Sequence, residues 1–188
     1  AISWPICRAT YADIVESLPP EYSAANLMHP GTAISNLITD HVHGGIMRIE
    51  EMTAEDWKDV VGNDPVIILP WGATEAHASH LPLSSDTLQP QYIADRIAES
   101  LDNVLVAPAV PYGNHSSTKN MPGTISLTFD NLRALAVNIL EEFIRQGAKR
   151  FVVISGHAGS AHLTALSEAC KTVVQRNDAK IMFFTDYD

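Results

Sequence analysis

The feature that most constrains the fold is a regular alternation of short apolar runs and helical patterns that begins at residue 47. Residues 65–70 are continuously apolar, as in a strand that is buried on both faces of a parallel sheet. Three further strand-like runs follow at residues 104–108, 150–155 and 180–185. Strands separated by helices predict right-handed crossovers. We therefore expect a single-domain three-layer α/β/α fold with a mostly parallel sheet.

The segments between the strands carry helix signals. Thr53 is a favourable N-cap residue for a short helix with two acidic residues in its first turn. Residues 129–146 form a longer amphipathic pattern that Gly147 ends, and residues 161–176 form the last helix. Residues 86–101 place four large apolar side chains at helical spacing. These are Leu88, Ile93, Ile97 and Leu101.

Residues 1–46 differ from the rest of the chain because paired prolines and glycines interrupt short apolar pieces. We expect an N-terminal wrapping arm here, with a short helix over residues 11–18, before an α/β domain of residues 47–188. The two cysteines, Cys7 and Cys170, lack metal-binding spacing. We interpret them as separate apolar fillers rather than as a disulfide.

Composition excludes some partners. The formal net charge is −10 with 12 lysines and arginines, which argues against binding to nucleic acid or to an anionic membrane surface. No apolar run approaches the ~20 residues of a membrane-spanning helix. The first residues lack the basic region and apolar stretch of a signal peptide. We expect a cytoplasmic protein, with an already removed signal peptide left open.

Polar clusters follow three of the predicted strands. Glu75, His77 and Asp86 come after the first, residues 111–115 after the second and His157 after the third. Ligands of parallel α/β sheets bind beyond the carboxyl ends of the strands. We therefore expect these groups to meet at one edge of the sheet.

The residue types in these clusters are those of a metal site. Carboxylate oxygens and neutral imidazoles bind zinc, manganese or iron. Glu75 and His77 are two positions apart, so in an extended segment their side chains leave the same face. Asp86 could instead cap a helix, and His77 could be a hydrogen-bonded core residue. A buried unpaired Glu75 would be costly, and together with His157 the cluster favours metal ligation.

The other candidates leave alternatives open. Gly156 and Gly159 beside His157 could cradle a phosphate, although the known phosphate-loop patterns are absent. A serine nucleophile would need a Gly-x-Ser-x-Gly elbow, which is also absent. His80 could relay a proton or pack its turn, and His162 is expected on a helix surface. The arm histidines are interpreted as ordinary, although the segment that holds two of them could fold over a site. They are His29, His41 and His43.

The motif Glu75-x-His77-x-x-His80-Leu-Pro-x-x-x-Asp86 resembles that of the creatininase family (creatinine amidohydrolase-like proteins), and three later motifs follow in matching order. These are Pro111-Tyr-Gly, Pro122-Gly-Thr-Ile-Ser-Leu127 and Gly156-His157-x-Gly159. The resemblance implies a metal-dependent hydrolase of C–N bonds in small cyclic amides, formamides or similar molecules. It also implies one or two divalent ions (zinc, manganese or iron) and a homo-oligomer, often a hexamer.

The resemblance also implies roles for single residues. Glu75, His77, Asp86 and His157 match the metal ligands, with Asp86 as the bridge. We expect substrate contacts at Tyr112, Gly156 and Gly159. A metal-activated water would attack the carbonyl carbon, with the oxyanion held by a second metal or a backbone N–H near Gly156. His80 or an arm histidine would then protonate the leaving nitrogen.

The chain departs from the family pattern at several points. Gly159 stands where creatinine-hydrolysing members carry a glutamate ligand, which makes creatinine itself doubtful as the substrate. The histidine usual before the Pro-Gly-Thr motif is replaced by residues 116–118, with His115 nearby, and Ala78 replaces a glycine. The C-terminal part of the family fold, which supplies a glutamate–histidine pair, is not in this sequence. The alternative function is a non-catalytic metal-binding or assembly paralogue; the low lysine and arginine content disfavours a phosphate-binding protein.

Overall fold

A computed structural model of the chain describes residues 45–185; residues 1–44 of the expected arm, which include Cys7 and the three arm histidines, lie outside this range. The strands are β1 (Met47–Arg48), β2 (Val66–Trp71), β3 (Val104–Val106), β4 (Arg150–Ser155) and β5 (Lys180–Thr185). The helices are α1 (Ala54–Val61), α2 (Ser85–Ser100), α3 (Phe129–Arg145) and α4 (Ser160–Arg176), with a 3-10 turn at Ile49–Glu51. None of the helices within residues 45–185 is long and apolar enough to cross a membrane.

The five strands form one sheet in the order β1-β3-β2-β4-β5, and every neighbouring pair is parallel. The predicted α/β class with a mostly parallel sheet is therefore confirmed. Strand β1 has two residues, too few for periodicity to reveal it in the sequence. The central strands β2 and β4 are paired along their whole length, with Trp71 opposite Ser155. Their carboxyl ends therefore lie side by side.

Side chains of β2 alternate between the two faces of the sheet. Ile67 and Leu69 belong to a core cluster that includes Leu140 of α3 and Leu166 of α4. Ile68 belongs to a second cluster with small residues of α2. Helices thus cover both faces, which gives the expected three layers.

The apolar face of α2 differs from the expectation. Leu88 and Leu101 are 53% and 58% exposed, whereas Ala94 and Ala98 are buried against the sheet. Helix α2 approaches the sheet so closely that its contact face accommodates small side chains. The large residues at helical spacing therefore divide, since Ile93 and Ile97 are partly buried and pack against the second cluster whereas Leu88 and Leu101 are exposed.

Two glycines permit this close approach at the first turn of α2. A Cβ on Gly72, just after β2, would lie 2.4 Å from Thr87 Cα. A Cβ on Gly156, just after β4, would lie 2.2 Å from the carbonyl oxygen of Asp86. Neither contact is possible for a real side chain, so glycine at both strand ends lets the Asp86 backbone lie against the sheet edge.

The helix ends agree with the sequence signals. The Thr53 side chain accepts a hydrogen bond from the Asp56 N–H at 3.2 Å, and the Asp56 carboxylate accepts one from the Thr53 N–H at 2.8 Å. This reciprocal pair is a capping box. Gly147 follows α3 with φ of +107°, a conformation that favours glycine.

Candidate metal centre

The loops beyond β2 and β3 are joined by backbone hydrogen bonds. Gly72 N–H donates to the Val110 carbonyl at 2.8 Å, and Ile125 N–H donates to Thr74 at 3.0 Å. Leu127 N–H donates to Gly113 at 2.8 Å. These bonds hold the segments that carry Glu75 and the histidine region at 114–115 over the ends of the central strands.

Five side chains then converge. They are Glu75, His77, Asp86, His115 and His157, and we call them the acid–histidine cluster. Nδ1 of His157 lies 2.8 Å from Asp86 Oδ2 and 2.9 Å from Glu75 Oε2. The other oxygen of Asp86, Oδ1, lies 2.9 Å from His77 Nε2. The structure therefore brings together the four residues that the sequence analysis named as ligands.

Asp86 reaches the cluster from inside a helix. Ser84 is the N-cap of α2 and Asp86 is the second helical residue, so the N-cap alternative for Asp86 is wrong. Its side chain is instead directed at two imidazoles, and Asp86 is 4% exposed. A carboxylate with each oxygen near a different histidine suits a bridging role.

His115 is the cluster member that the sequence analysis did not select. Its side chain is fully buried, its Nε2 lies 3.8 Å from Glu75 Oε2, and its ring centroid lies 4.7 Å from that of His157. Neither ring nitrogen has a hydrogen-bond partner among the described residues. A signal was present in the sequence, because His115 follows the second core strand in the same way as His157 follows the third.

Neighbouring groups orient the cluster. Thr118 Oγ1 donates a hydrogen bond to Glu75 Oε1. His157 Nε2 lies 3.2 Å from the Asn114 carbonyl oxygen, which can only accept, so this nitrogen carries the proton in the neutral imidazole. Nδ1 of the same ring lies 2.8 and 2.9 Å from oxygens of Asp86 and Glu75, which also only accept, so Nδ1 carries a proton here as well, and a bound metal ion would take the place of that proton. Fixing a tautomer through the other ring nitrogen is a common arrangement around metal-binding histidines.

His162 is not on the helix surface, and that expectation is wrong. It is fully buried in the first turn of α4, and its ring stands edge-on to His157 with centroids 4.9 Å apart. His162 Nδ1 accepts the Asn114 N–H at 3.3 Å. Because the Asn114 carbonyl faces His157, His162 helps to hold the backbone that orients this candidate ligand.

Burial and charge shift the pKa values in opposite directions across the cluster. Burial, the largest single influence, disfavours charge on Asp86 and on His157, but their mutual hydrogen bond and the neighbouring opposite charges together outweigh it, so the pKa of Asp86 is lowered and that of His157 is raised. Burial, followed by the charge on His157, lowers the pKa of His115. The same two causes, in that order, lower the pKa of His162 to about 3. His115 and His162 are therefore neutral at pH 7.

The remaining candidates lie around the cluster. His80 is exposed and forms no hydrogen bond or ion pair with another residue in the range 45–185. Tyr112 is 45% exposed, and its carbonyl accepts the Trp71 indole N–H at 3.0 Å. Gly156 N–H donates to the Trp71 carbonyl at 2.9 Å, so this N–H already has a partner. A Cβ on Gly159 would lie 2.6 Å from His157 Nε2.

The cluster fits a divalent metal. It buries two carboxylates, Glu75 and Asp86, and no lysine or arginine of the described residues pairs with either. Two buried carboxylates around one charged imidazole, that of His157, leave negative charge that a divalent cation would offset. Carboxylate oxygens and imidazole nitrogens are the donors that zinc, manganese and iron accept. The unpartnered nitrogens of His115 add donor capacity that no hydrogen bond uses.

Known proteins are similar to this chain in sequence and in fold. The creatininase family model, described as creatinine amidohydrolase, matches residues 50–187. The creatinine amidohydrolase of Pseudomonas putida is 36% identical over 110 residues, which cover 54% of this chain and 42% of that protein. The mycofactocin precursor peptide peptidase of Mycolicibacterium smegmatis is 33% identical over 113 residues, covering 56% and 44%. The chain thus spans less than half the length of these two curated relatives.

Solved structures give the same result. A manganese creatininase aligns with a TM-score of 0.69 and 28% identity, covering 74% of this chain and 58% of that chain. A zinc–zinc form of a creatininase mutant gives the same values. Because the family model covers most of the chain, the resemblance seen in the sequence is confirmed, and the chain belongs to the creatininase family.

Proposed function

We propose that this chain is a metal-dependent hydrolase that uses water to cleave C–N bonds in small cyclic amides or formamides. The observation that carries the proposal is the acid–histidine cluster, buried at the carboxyl ends of β2, β3 and β4. The names of two relatives, an amidohydrolase and a peptidase, both denote hydrolysis of an amide bond. The family resemblance further supports a homo-oligomer, for which we propose a hexamer.

Glu75, His77, Asp86 and His157 are the proposed ligands of one or two divalent ions. The solved relatives include manganese and zinc–zinc forms, and iron is the third candidate. When bound, such an ion supplies Lewis acidity, which polarises a carbonyl group and lowers the pKa of water towards neutrality. Asp86 suits the bridging position because its two oxygens face His77 and His157.

The other residues of the chain would position these ligands and the substrate. Thr118 holds one oxygen of Glu75 through a hydrogen bond. We propose that exposed Tyr112 and the backbone at Gly159 contact the substrate at the mouth of the cluster. Gly156 is a third proposed substrate contact. Its N–H already donates a hydrogen bond to the Trp71 carbonyl, so the contact would not use that group.

Proton transfer to the leaving nitrogen is assigned to His80. This residue lies in an exposed turn three positions after His77, and it is free to approach a substrate that enters from solvent. Creatinine remains a doubtful substrate because Gly159 replaces the glutamate ligand of creatinine-hydrolysing members.

The second candidate is a non-catalytic metal-binding or assembly paralogue. The observation that favours it is His80, which makes no hydrogen bond with any cluster residue in the described part of the chain. Metal binding without turnover would be the signature of this function.

Metal quantification of the purified chain tests the core of the proposal. We expect bound zinc, manganese or iron in the wild type and loss of most of it in Asp86→Ala. Asp59→Ala, which changes an exposed acid of α1, should keep the full metal content. Unchanged metal in Asp86→Ala would refute the ligand assignment.

A screen of lactams, formamides and lactones on the metal-loaded protein then separates the two candidates. Hydrolysis that requires the bound metal and is lost in Asp86→Ala would support the enzyme. Stoichiometric metal with no turnover of any compound would favour the non-catalytic paralogue.

A further inference from the structure

We infer that His115 is a metal ligand of this chain and that, with Glu75 and His157, it forms a second metal position beside the Glu75–His77–Asp86 group. The inference rests on the proposed metal-dependent function but goes beyond its four ligands. In each of the two groups, the donor atoms lie within 4.8 Å of one another, and Glu75 belongs to both. Two neighbouring positions are therefore available, and Asp86 lies between them because its two oxygens face His77 of one group and His157 of the other.

The distances around His115 suit a metal better than a hydrogen bond. Its Nε2 lies 3.8 Å from Glu75 Oε2, which is too long for a hydrogen bond. Two donors that each lie about 2.1 Å from one ion at a tetrahedral angle are about 3.4 Å apart. The observed separation is close to this value, and His157 Nδ1, at 2.9 Å from the same oxygen, is also near enough to share the ion.

The burial of His115 points to a ligand as well. Its side chain is fully buried, and both ring nitrogens lack a hydrogen-bond partner within residues 45–185. A buried polar group without a hydrogen bond costs about 1–3 kcal/mol. Coordination would use the nitrogen that the protein leaves unpaired.

The backbone holds His115 in place. Its N–H donates to Ser126 Oγ at 3.0 Å, and the preceding Asn114 donates its side-chain amide to the Leu127 carbonyl at 2.7 Å. The loop after β3 is therefore fixed on both sides of the imidazole. A donor held in this way loses little conformational freedom on binding an ion.

The structure also explains why the donor comes from His115. A Cβ at position 159 would lie 2.6 Å from His157 Nε2 and 3.4 Å from the Asn114 carbonyl oxygen. A side chain at position 159 would therefore require His157 to move. His115, on the loop after β3, lies beside His157 with ring centroids 4.7 Å apart and does not displace it.

Metal titration of the metal-free protein tests the inference. With Mn²⁺ or Zn²⁺ as the probe, we expect about two ions per wild-type chain and about one per His115→Gln chain, with the weaker site losing more than about 100-fold in affinity. Asp59→Asn is the control, since this carboxylate is exposed on α1 and is not part of the acid–histidine cluster, and it should bind as the wild type does. Calorimetry and elemental analysis after gel filtration give both quantities.

A second readout does not depend on stoichiometry or on activity. Electron paramagnetic resonance of the Mn²⁺-loaded wild type should show a spin-coupled pair, and His115→Gln should show an isolated ion. Circular dichroism shows whether His115→Gln folds. If it does not, the imidazole ¹⁵N resonances of the wild-type protein are measured with and without zinc instead. Zinc should then shift a nitrogen of His115 in the intact chain.

The outcomes separate this inference from the proposed function. Equal stoichiometry and affinity in wild type and His115→Gln, or an unshifted His115 nitrogen, would overturn the second position alone. Loss of one ion in His115→Gln with retention of the other would support it. A wild type that binds no metal at all would overturn the proposed function together with this inference.

Discussion

The contact between Gly156 and the first turn of α2 gives a sharp prediction for Gly156→Ala. The new Cβ would lie 2.2 Å from the Asp86 carbonyl oxygen and 2.5 Å from Pro90 Cδ. Ordinary van der Waals contact begins near 3.4 Å. The helix turn must therefore retreat by about 1.2 Å, the difference between 3.4 and 2.2 Å. Both obstacles are parts of a packed helix that cannot rotate away.

This displacement should affect both stability and the metal centre. Overpacking of this kind costs about 1–3 kcal/mol, and the rigid neighbours place Gly156→Ala near the upper limit. With a urea m value of about 2 kcal/mol/M, the unfolding midpoint should fall by about 1 M or more. The Asp86–His157 contact of 2.8 Å would lengthen with the retreat, so metal affinity should fall as well.

Gly62→Ala is the matched control. Gly62 follows α1 with φ of −64° and ψ of −18°, and a Cβ there would meet nothing within 4 Å. Alanine at this position should leave metal binding unchanged and stabilise the fold by about 0.4–1 kcal/mol, because it restricts the unfolded chain. Urea unfolding followed by circular dichroism measures both variants. Equal midpoints for Gly156→Ala and the wild type would refute the close-approach argument.

Three further predictions concern buried residues. Leu140→Ala, on α3 in the main cluster, should lower the free energy of unfolding by about 2–5 kcal/mol, as urea unfolding would measure. Leu88→Ala, at an exposed position, should change it by no more than about 0.5 kcal/mol. Similar losses in the two variants would contradict the assigned faces of the helices. Burial raises the pKa of Cys170 to about 11, so the folded protein should leave this thiol unalkylated at pH 8. Peptide mapping after alkylation of the folded and the unfolded protein measures this. Rapid labelling of the folded protein would contradict the prediction. Because the unfolded thiol ionises first, this residue should also make stability fall as the pH rises from about 9 towards 11, and Cys170→Ala should remove that contribution.

The sequence was most informative where a strand led directly into polar residues. Apolar runs such as 65–70 and 150–155 identified strands, and parallel strands place their carboxyl ends at one edge. That rule was enough to name Glu75, His77, Asp86 and His157 together before any coordinates. The family resemblance selected the same four residues independently, because their spacing matches its motif.

The sequence was less informative about details that depend on packing distance. His162 was assigned to a helix surface because helical periodicity does not reveal which side of the first turn of α4 meets the sheet. Helical spacing likewise groups exposed Leu88 with the partly buried Ile93 and Ile97, because it does not show how closely α2 approaches the sheet. His115 lies outside the motif positions that the family resemblance marks as ligands, and a sequence pattern does not show where its ring lies. Only the coordinates show its ring beside Glu75.

The separation of the cluster residues along the chain has a consequence for folding. Asp86 and His157 lie 71 positions apart, and they meet only after β4 has paired with β2. Closing so long a loop is slow and entropically unfavourable, so the cluster assembles late. A nascent chain that has not yet reached β4 therefore cannot capture the ion in this arrangement. Metal binding would then occur only after β4 has paired with β2. The ion would therefore stabilise the folded sheet rather than nucleate its folding.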